Sequence, residues 1–255
     1  MNTTPYFKGR GAQIQVNNRF DTFHSIPLSE YFDEDCKNSK TIFQKVYPKS
    51  VVNKVDSPDV NMYYSLNPYQ GCEHGCVYCY ARTTHEYWGY NAGIDFERVI
   101  LIKEDAPKLL EECINNKNWK PKPIALSGNT DCYQPVEQKL SITRELLKVF
   151  LKYKHPVGII TKNALILRDL DILTQLAKDN LVHVSISLTS LNEKLRQQLE
   201  PRTSSYAKRL KAIETLSSKG IPVNVMMAPI IPALNSNEIM SVSYTHLRAH
   251  ETTSH

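Results

Sequence analysis

The chain has 255 residues, enough for one large domain or two small ones, and its 41% apolar and 22% charged composition is ordinary for a soluble globular protein. Its formal net charge of +5 is modest, with Lys and Arg interspersed among acids, so a nucleic-acid partner is permitted but not argued for. The N-terminus lacks the apolar core of a signal peptide and no apolar run is long enough to cross a bilayer. A cytoplasmic location is therefore expected, where the six cysteines act as thiols or metal ligands more often than as disulfides.

Residues 1–61 are polar and interrupted by Gly9, Gly11, Pro27, Pro48 and Pro58; they read as an irregular N-terminal extension that either wraps the following domain or is disordered. Lys8-Gly9-Arg10-Gly11 could touch phosphate, although a solvated basic terminus is the commoner reading. From residue 62 a rhythm begins. Strands are expected at 62–66, 124–127, 157–160, 181–187 and 222–227. Helices are expected at 81–90, 103–116, 141–154, 169–178, 191–199 and 206–219, the last stopped by Gly220. Strand–helix alternation at this spacing predicts an α/β fold of right-handed βαβ units on a parallel sheet. Five strands suit an open or partial barrel, or a doubly wound sheet.

Between the first strand and the first helix lies Asn67-Pro68-Tyr69-Gln70-Gly71-Cys72-Glu73-His74-Gly75-Cys76-Val77-Tyr78-Cys79-Tyr80. Three cysteines at Cys-x3-Cys-x2-Cys spacing can converge on one metal centre and leave a coordination position open. A zinc site of Cys72, Cys76, Cys79 and His74 is one reading, but structural zinc sites usually join two separated ligand clusters, and no second cluster follows. An iron–sulfur cluster fits thiolates better: four irons on three cysteines leave one iron open. Gly71 and Gly75 let the loop bend around a bulky inorganic core. A loop directly after the first strand places this chemistry at the C-terminal end of the sheet, where α/β folds carry their sites.

Cys72-x3-Cys76-x2-Cys79, with Tyr78 before the last cysteine, resembles the signature of the radical S-adenosylmethionine superfamily. The resemblance extends to the spore photoproduct lyase-like branch, including relatives described as DNA repair photolyases, through Asn67–Cys72, Cys79–Arg82, Thr130–Glu137, Ile160–Lys162, Leu199–Arg202 and Ala228–Pro232. It implies a partial (βα)6 TIM-like barrel, here truncated before its last strand. It implies a [4Fe–4S] cluster on Cys72, Cys76 and Cys79, and S-adenosylmethionine chelated to the open iron and reductively cleaved to a 5′-deoxyadenosyl radical that abstracts hydrogen. Flavodoxin or ferredoxin would be the reductant. The substrate is not readable, a nucleic-acid lesion being one candidate; no helix-turn-helix, zinc finger or long basic stripe supports duplex binding, and the oligomeric state is open. A non-enzymatic iron–sulfur or zinc-binding module is the alternative.

The same resemblance assigns cofactor contacts. Tyr78 belongs to the signature. Ser127-Gly128-Asn129-Thr130 occupies the place of the superfamily's Gly-Gly-Glu motif, without that sequence. Lys162 would meet the cofactor carboxylate, Ser187 would bond the same cofactor, and Arg202 could clasp a carboxylate bidentately. Pro229-Ile230 would form an apolar shelf near adenine or core. Cys132 lies near the position of a hydrogen-returning cysteine, against the plainer reading of a buried thiol; Cys36 and Cys113 read as structural. Tyr80, Tyr87, Trp88 and Tyr90, with Arg82 and His85 among them, could stack bases or pack a helix on the barrel. Residues 241–255 break the rhythm and resemble a translated sequencing adapter. The expected organisation is thus an extension at 1–61, a barrel domain at 62–240 and a non-native tail at 241–255.

Overall fold

The computed structural model of the protein describes residues 7–14, 16–20, 40–57 and 62–243. Its strands, in chain order, are β1 (Ile42–Lys45), β2 (Val52–Lys54), β3 (Tyr64–Leu66), β4 (Tyr69–Gln70), β5 (Val99–Ile102), β6 (Ile124–Leu126), β7 (Val157–Thr161), β8 (Val182–Ser187) and β9 (Val223–Met226). The α-helices are α1 (Asp95–Arg98), α2 (Ala106–Ile114), α3 (Glu137–Leu140), α4 (Ile142–Lys152), α5 (Leu170–Lys178), α6 (Glu193–Leu199) and α7 (Tyr206–Ser218). The stretch expected as a helix over 81–90 is a 3₁₀ helix, Tyr80–Trp88, closed by Gly89 in the left-handed region.

The main sheet has the order β2-β3-β6-β7-β8-β9. Five of its strands are parallel, and β2 runs antiparallel along one edge. These five are the strands expected from the sequence. Pairing register aligns Leu66, Leu126, Ile159, Val184 and Val223 in one row across the sheet, each at most 2% exposed. That row fixes the register of the strands, because a slip of one residue would turn the apolar set onto the wrong face. Helix α4 covers the sheet with Ile142, Leu146, Leu147, Val149 and Phe150, all buried and at helical spacing. Asn192 accepts from the amides of Lys194 and Leu195 to start α6, and Ser205 from that of Lys208 to start α7. Gly220, at φ +71°, carries the chain out of α7 into β9.

A second sheet, β1-β5-β4, was not expected. β1 and β2 lie in the segment read as irregular. β5 is Val-Ile-Leu-Ile, buried at all four positions, and a short continuous apolar run has no period that separates it from the start of the helix that follows. β4 precedes the cysteine loop and pairs antiparallel with β5, Tyr69 to Ile102 and Gln70 to Leu101, so this small sheet anchors one end of the loop. Arg10 is only 6% exposed and donates to the Glu97 carbonyl and to Thr41 Oγ1. The phosphate reading of residues 8–11 is therefore corrected: its arginine is committed to the protein. Cys36, and residues 244–255 of the segment read as non-native, lie outside the described residues. Val242, within that segment, is 3% exposed in the main core.

His85 illustrates how tightly the 3₁₀ helix is packed. It is fully buried, stacked on Tyr90 at 5.1 Å and edge-on to Phe96 at 5.6 Å. Burial pushes its pKa down to about 4, below the ordinary histidine value. The unfolded chain then binds a proton more readily than the fold, so stability is full above about pH 6.5 and falls as pH drops toward 4. We expect this residue to contribute up to about 3 kcal/mol to that loss. His85→Phe, which fills the aromatic site without titrating, should flatten this limb in urea unfolding measured across that window. An unchanged pH slope would show that the imidazole is not the group responsible.

Candidate active site at the C-terminal ends of the strands

The C-terminal ends of β6, β7, β8 and β9 open onto one cavity of about 470 Å³. The loop after β4 gives it Cys72, His74, Cys76, Tyr78, Cys79, Tyr80 and Ala81. The turn after β6 gives Ser127 through Asp131; β7 gives Ile160, Thr161 and the following Lys162; β8 gives Ser187; β9 and the segment after it give Met226, Ala228 and Pro229. The three motif cysteines and six of the other predicted contacts, Ser127, Gly128, Asn129, Thr130, Lys162 and Ser187, are thus brought together with Tyr78.

The cysteine loop is glycine-rich and is held largely by side chains from distant parts of the chain. Gln134, fully buried, grips both sides of Cys72: its Oε1 accepts from Glu73 N at 2.9 Å, and its Nε2 donates to Gly71 O at 3.1 Å. Cys72 N donates to Phe96 O at 2.8 Å. Arg82 Nη2 donates to Cys76 O at 2.8 Å, and Val77 N to Leu199 O at 3.0 Å. Gly71, at φ +80°, must be glycine: a Cβ there would lie 2.5 Å from Val99 O. Burial pushes the Cys76 thiol up to about 12 and raises those of Cys72 and Cys79. Metal ligation would have to displace these protons.

Electrostatics distinguish one wall. Burial works against the charge of Lys162, but Cys76, Glu200 and Asp131 outweigh it and raise its pKa, so the ammonium persists. Its Nζ stands 5.8 Å from the Tyr78 ring centre. Asp131 also feels burial, yet His74, whose Nδ1 is 3.3 Å away, and hydrogen bonds from Lys162 N and Thr161 Oγ1, each 2.7 Å long, hold its pKa down to about 2. His74 Nε2 lies 3.4 Å from Asn163 Nδ2. Both nitrogens of His74 thus face protein neighbours, which speaks against its serving as a fourth zinc ligand. No three His, Cys, Asp or Glu among the described residues are gathered to hold a single metal ion. Ser187 is 1% exposed, and its Oγ has no hydrogen-bond partner among the described residues. A buried hydroxyl on a cavity wall without a partner fits a site shaped for a polar ligand.

The Tyr78 phenol donates to Glu200 Oε1 and lies 3.3 Å from Thr189 Oγ1. Burial, Cys76 and Glu200 raise its pKa, so it stays a donor. Glu200 also accepts from Thr189 at 2.7 Å and pairs with Arg209 at 2.6 Å; both members of that pair are fully buried. Arg209 reaches on to Ser187 O at 3.0 Å. This array was missed in the sequence, where Glu200 appeared only within the Leu199–Arg202 stretch and Arg209 was not singled out. No local spacing marks them: Tyr78, Glu200 and Arg209 meet only through the fold.

Other expectations are corrected by placement. Arg202 is not on the cavity wall; its Nη2 pairs with Glu73 at 3.1 Å on the outer side of the loop, and its amide donates to His74 O. Cys132 is fully buried in the main core, off the cavity wall, with its thiol pKa raised by burial. Ile230 is 51% exposed while Pro229 lines the cavity, so only the proline is on its wall. Of the aromatic stretch, Tyr80 and Tyr87 are exposed, but Arg82 is tied to Glu97 and Cys76 and His85 is buried, which removes both from any base-stacking surface. We expect Arg209→Met to cost about 3–5 kcal/mol, because it leaves Glu200 buried without its counter-ion. The double variant Arg209→Met, Glu200→Gln should recover part of that loss in urea unfolding; no recovery would mean that packing, not charge, dominates.

Comparison with known proteins places this architecture. A sequence model described as the Radical SAM superfamily matches residues 66–242. An uncharacterized protein of Mycobacterium tuberculosis is 32% identical over 196 residues, covering 76% of this chain and 58% of the relative. One of Methanocaldococcus jannaschii is 32% identical over 197 residues, covering 77% and 71%. The chain thus spans 58% of the length of its mycobacterial relatives. Among solved structures, a spore photoproduct lyase mutant with bound AdoMet and dinucleoside spore photoproduct superposes with a TM-score of 0.63 at 17% identity, covering 83% of this chain and 58% of that one. A second spore photoproduct lyase mutant gives 0.62 at 18% identity, covering 82% and 58%. The solved structures share its fold, and by the match over residues 66–242 the chain belongs to the radical SAM superfamily.

Proposed function

We propose that the chain is the catalytic portion of a radical S-adenosylmethionine enzyme, built on a partial (βα)6 barrel that here contributes five parallel strands. The observation that carries this reading is the cavity on which the Cys72, Cys76 and Cys79 thiols, the Lys162 ammonium and the unpartnered Ser187 hydroxyl meet. The three cysteines would hold a [4Fe–4S] cluster, one iron each. When bound, cluster and S-adenosylmethionine together supply a one-electron cleavage of the sulfonium to methionine and a 5′-deoxyadenosyl radical. Lys162 would neutralise the cofactor carboxylate, and its positive field suits an anionic cluster. Ser187 Oγ and the turn Ser127-Gly128-Asn129-Thr130 would hold the cofactor's polar groups, the turn being itself held by Asn67 Oδ1, which accepts from the amides of Asn129 and Thr130. Tyr78, fixed by Glu200, Met226 and Pro229 would wall the site and exclude water from the radical.

A small electron-transfer protein of the flavodoxin or ferredoxin kind would deliver the electron. A nucleic-acid substrate is suggested by the likeness to spore photoproduct lyase, and the exposed Tyr80 and Tyr87 beside the cluster loop are compatible with it. Among the described residues no helix is long and apolar enough to cross a membrane.

The test is anaerobic reconstitution with iron and sulfide, followed by dithionite and S-adenosylmethionine, with 5′-deoxyadenosine as the product measured. The wild-type chain should form it and Cys76→Ala should fall to background. Lys162→Ala should retain the cluster yet need roughly ten- to a hundredfold more S-adenosylmethionine, the loss of one hydrogen bond to a charged group at about 1.5–3 kcal/mol. A wild-type chain with a full cluster that cleaves no cofactor would sink the reading.

A further inference from the structure

Residues 10–12 lie against the outer side of the cysteine loop, away from the cavity. Gly11 is pressed onto Gly75 so closely that a Cβ on Gly11 would stand 1.9 Å from Gly75 O. The carboxylate of Glu97, fully buried, lies beside this contact: a Cβ on Gly75 would meet its Oε2 at 2.8 Å. Gly11 N donates to Glu97 Oε2 at 3.0 Å and Ala12 N to Oε1 at 2.7 Å. Arg82 Nη2 donates to the same Oε1 at 2.5 Å and also to Cys76 O at 2.8 Å. Arg10 Nη1 donates to the Glu97 carbonyl at 2.6 Å. A second path runs from Arg10 through Thr41 Oγ1, at 3.0 Å, to Glu73 Oε1, 2.9 Å further on. Glu73 is the neighbour of Cys72.

We propose that residues 10–12 are a strap that fixes the cysteine loop for cluster binding, and that Glu97 is the positioning residue joining strap to loop. This rests on the cluster assignment to Cys72, Cys76 and Cys79. The physical argument is one of restraint. A loop with glycines at 71 and 75 has a large conformational entropy to lose before three thiols can hold a rigid cluster. Gln134 restrains the Cys72 end; the strap, Glu97 and Arg82 restrain the middle, at Gly75 and the Cys76 carbonyl. A buried carboxylate is retained there because it accepts two strap amides and one guanidinium at once, which no neutral side chain can match. Glu97 does not line the cavity, so its effect on the site must act through these partners.

The experiment uses the full chain and two variants, Gly11→Ala, which forces strap and loop apart, and Glu97→Gln, which removes the charge and half the acceptor capacity. Two readouts separate the strap from the cluster assignment. In cluster-free protein, hydrogen exchange by mass spectrometry should become several-fold faster in the peptide containing residues 72–79, while peptides from β7 and β8 keep their protection. In reconstituted protein, loss of iron to a chelator should accelerate roughly tenfold or more, the usual consequence of removing an outer partner of a metal ligand. Should either variant fail to fold, Arg82→Gln serves instead: it removes the guanidinium that donates to both Glu97 and Cys76 O, and the same two changes are expected. Unchanged exchange at 72–79 and unchanged iron loss would overturn the strap. A wild-type chain that takes up no cluster would overturn the cluster assignment, and the exchange result would still decide whether the strap restrains the loop.

Discussion

The structure depends on a restraint: the glycine-rich loop that carries three cysteines is held in one shape, and its own regular structure cannot do this alone. Its own regular structure is the two-residue strand β4 and the 3₁₀ helix that follows. The remaining restraint comes from Arg82 in that helix and from residues far away in sequence. Gln134 brackets Cys72, Arg82 holds the Cys76 carbonyl, and Leu199 O receives the amide of Val77. Each contact satisfies a backbone group of the loop, so the loop is stabilised and shaped by the same bonds.

The second constraint is register. Parallel strands in a βαβ fold end on one side of the sheet, and the row Leu66, Leu126, Ile159, Val184 and Val223 keeps them in register. One or more residues beyond it stand Ser127, Lys162, Ser187 and Met226, on the wall of one cavity. The polar groups of the site are thus delivered by apolar packing: the residues before them bury, and those after them emerge at the rim.

Buried charge is the third element, and it is concentrated beneath the site. Glu200 with Arg209 lies behind Tyr78, while Glu137 and Asp169, both fully buried, share Arg168 and accept from the phenols of Tyr69 and Tyr133. Pairs of this kind contribute little net stability against apolar replacements, but they hold their partners in one geometry. Tyr69 opens β4, so Glu137 and Gln134, three residues apart, grip the cysteine loop at two points.

Much of this was legible in the sequence. The cysteine spacing is local and chemically narrow, and the alternation of apolar strands with amphipathic helices survives any detail of packing; both follow from short-range periodicity. Lys162 and Ser187 were legible because residues just after or at the end of a parallel strand face the rim. Arg202 and Cys132 lie off the cavity wall: the fold turns the first onto Glu73 and the second into the core, as the plainer reading of Cys132 as a buried thiol expects. The strands β1, β2, β4 and β5 were hidden: β1 and β2 lie in a polar, proline-interrupted segment, β4 has two residues, and β5 is a continuous apolar run that merges with the start of the next helix. Sequence by itself determined the cysteine spacing of the loop and, through period, the parallel α/β frame. Only tertiary structure decided what holds that loop, because Gln134, Glu97, Arg82, Glu200 and Arg209 act across separations that no local pattern records, and a buried hydrogen bond is specified by the arrival of its partner.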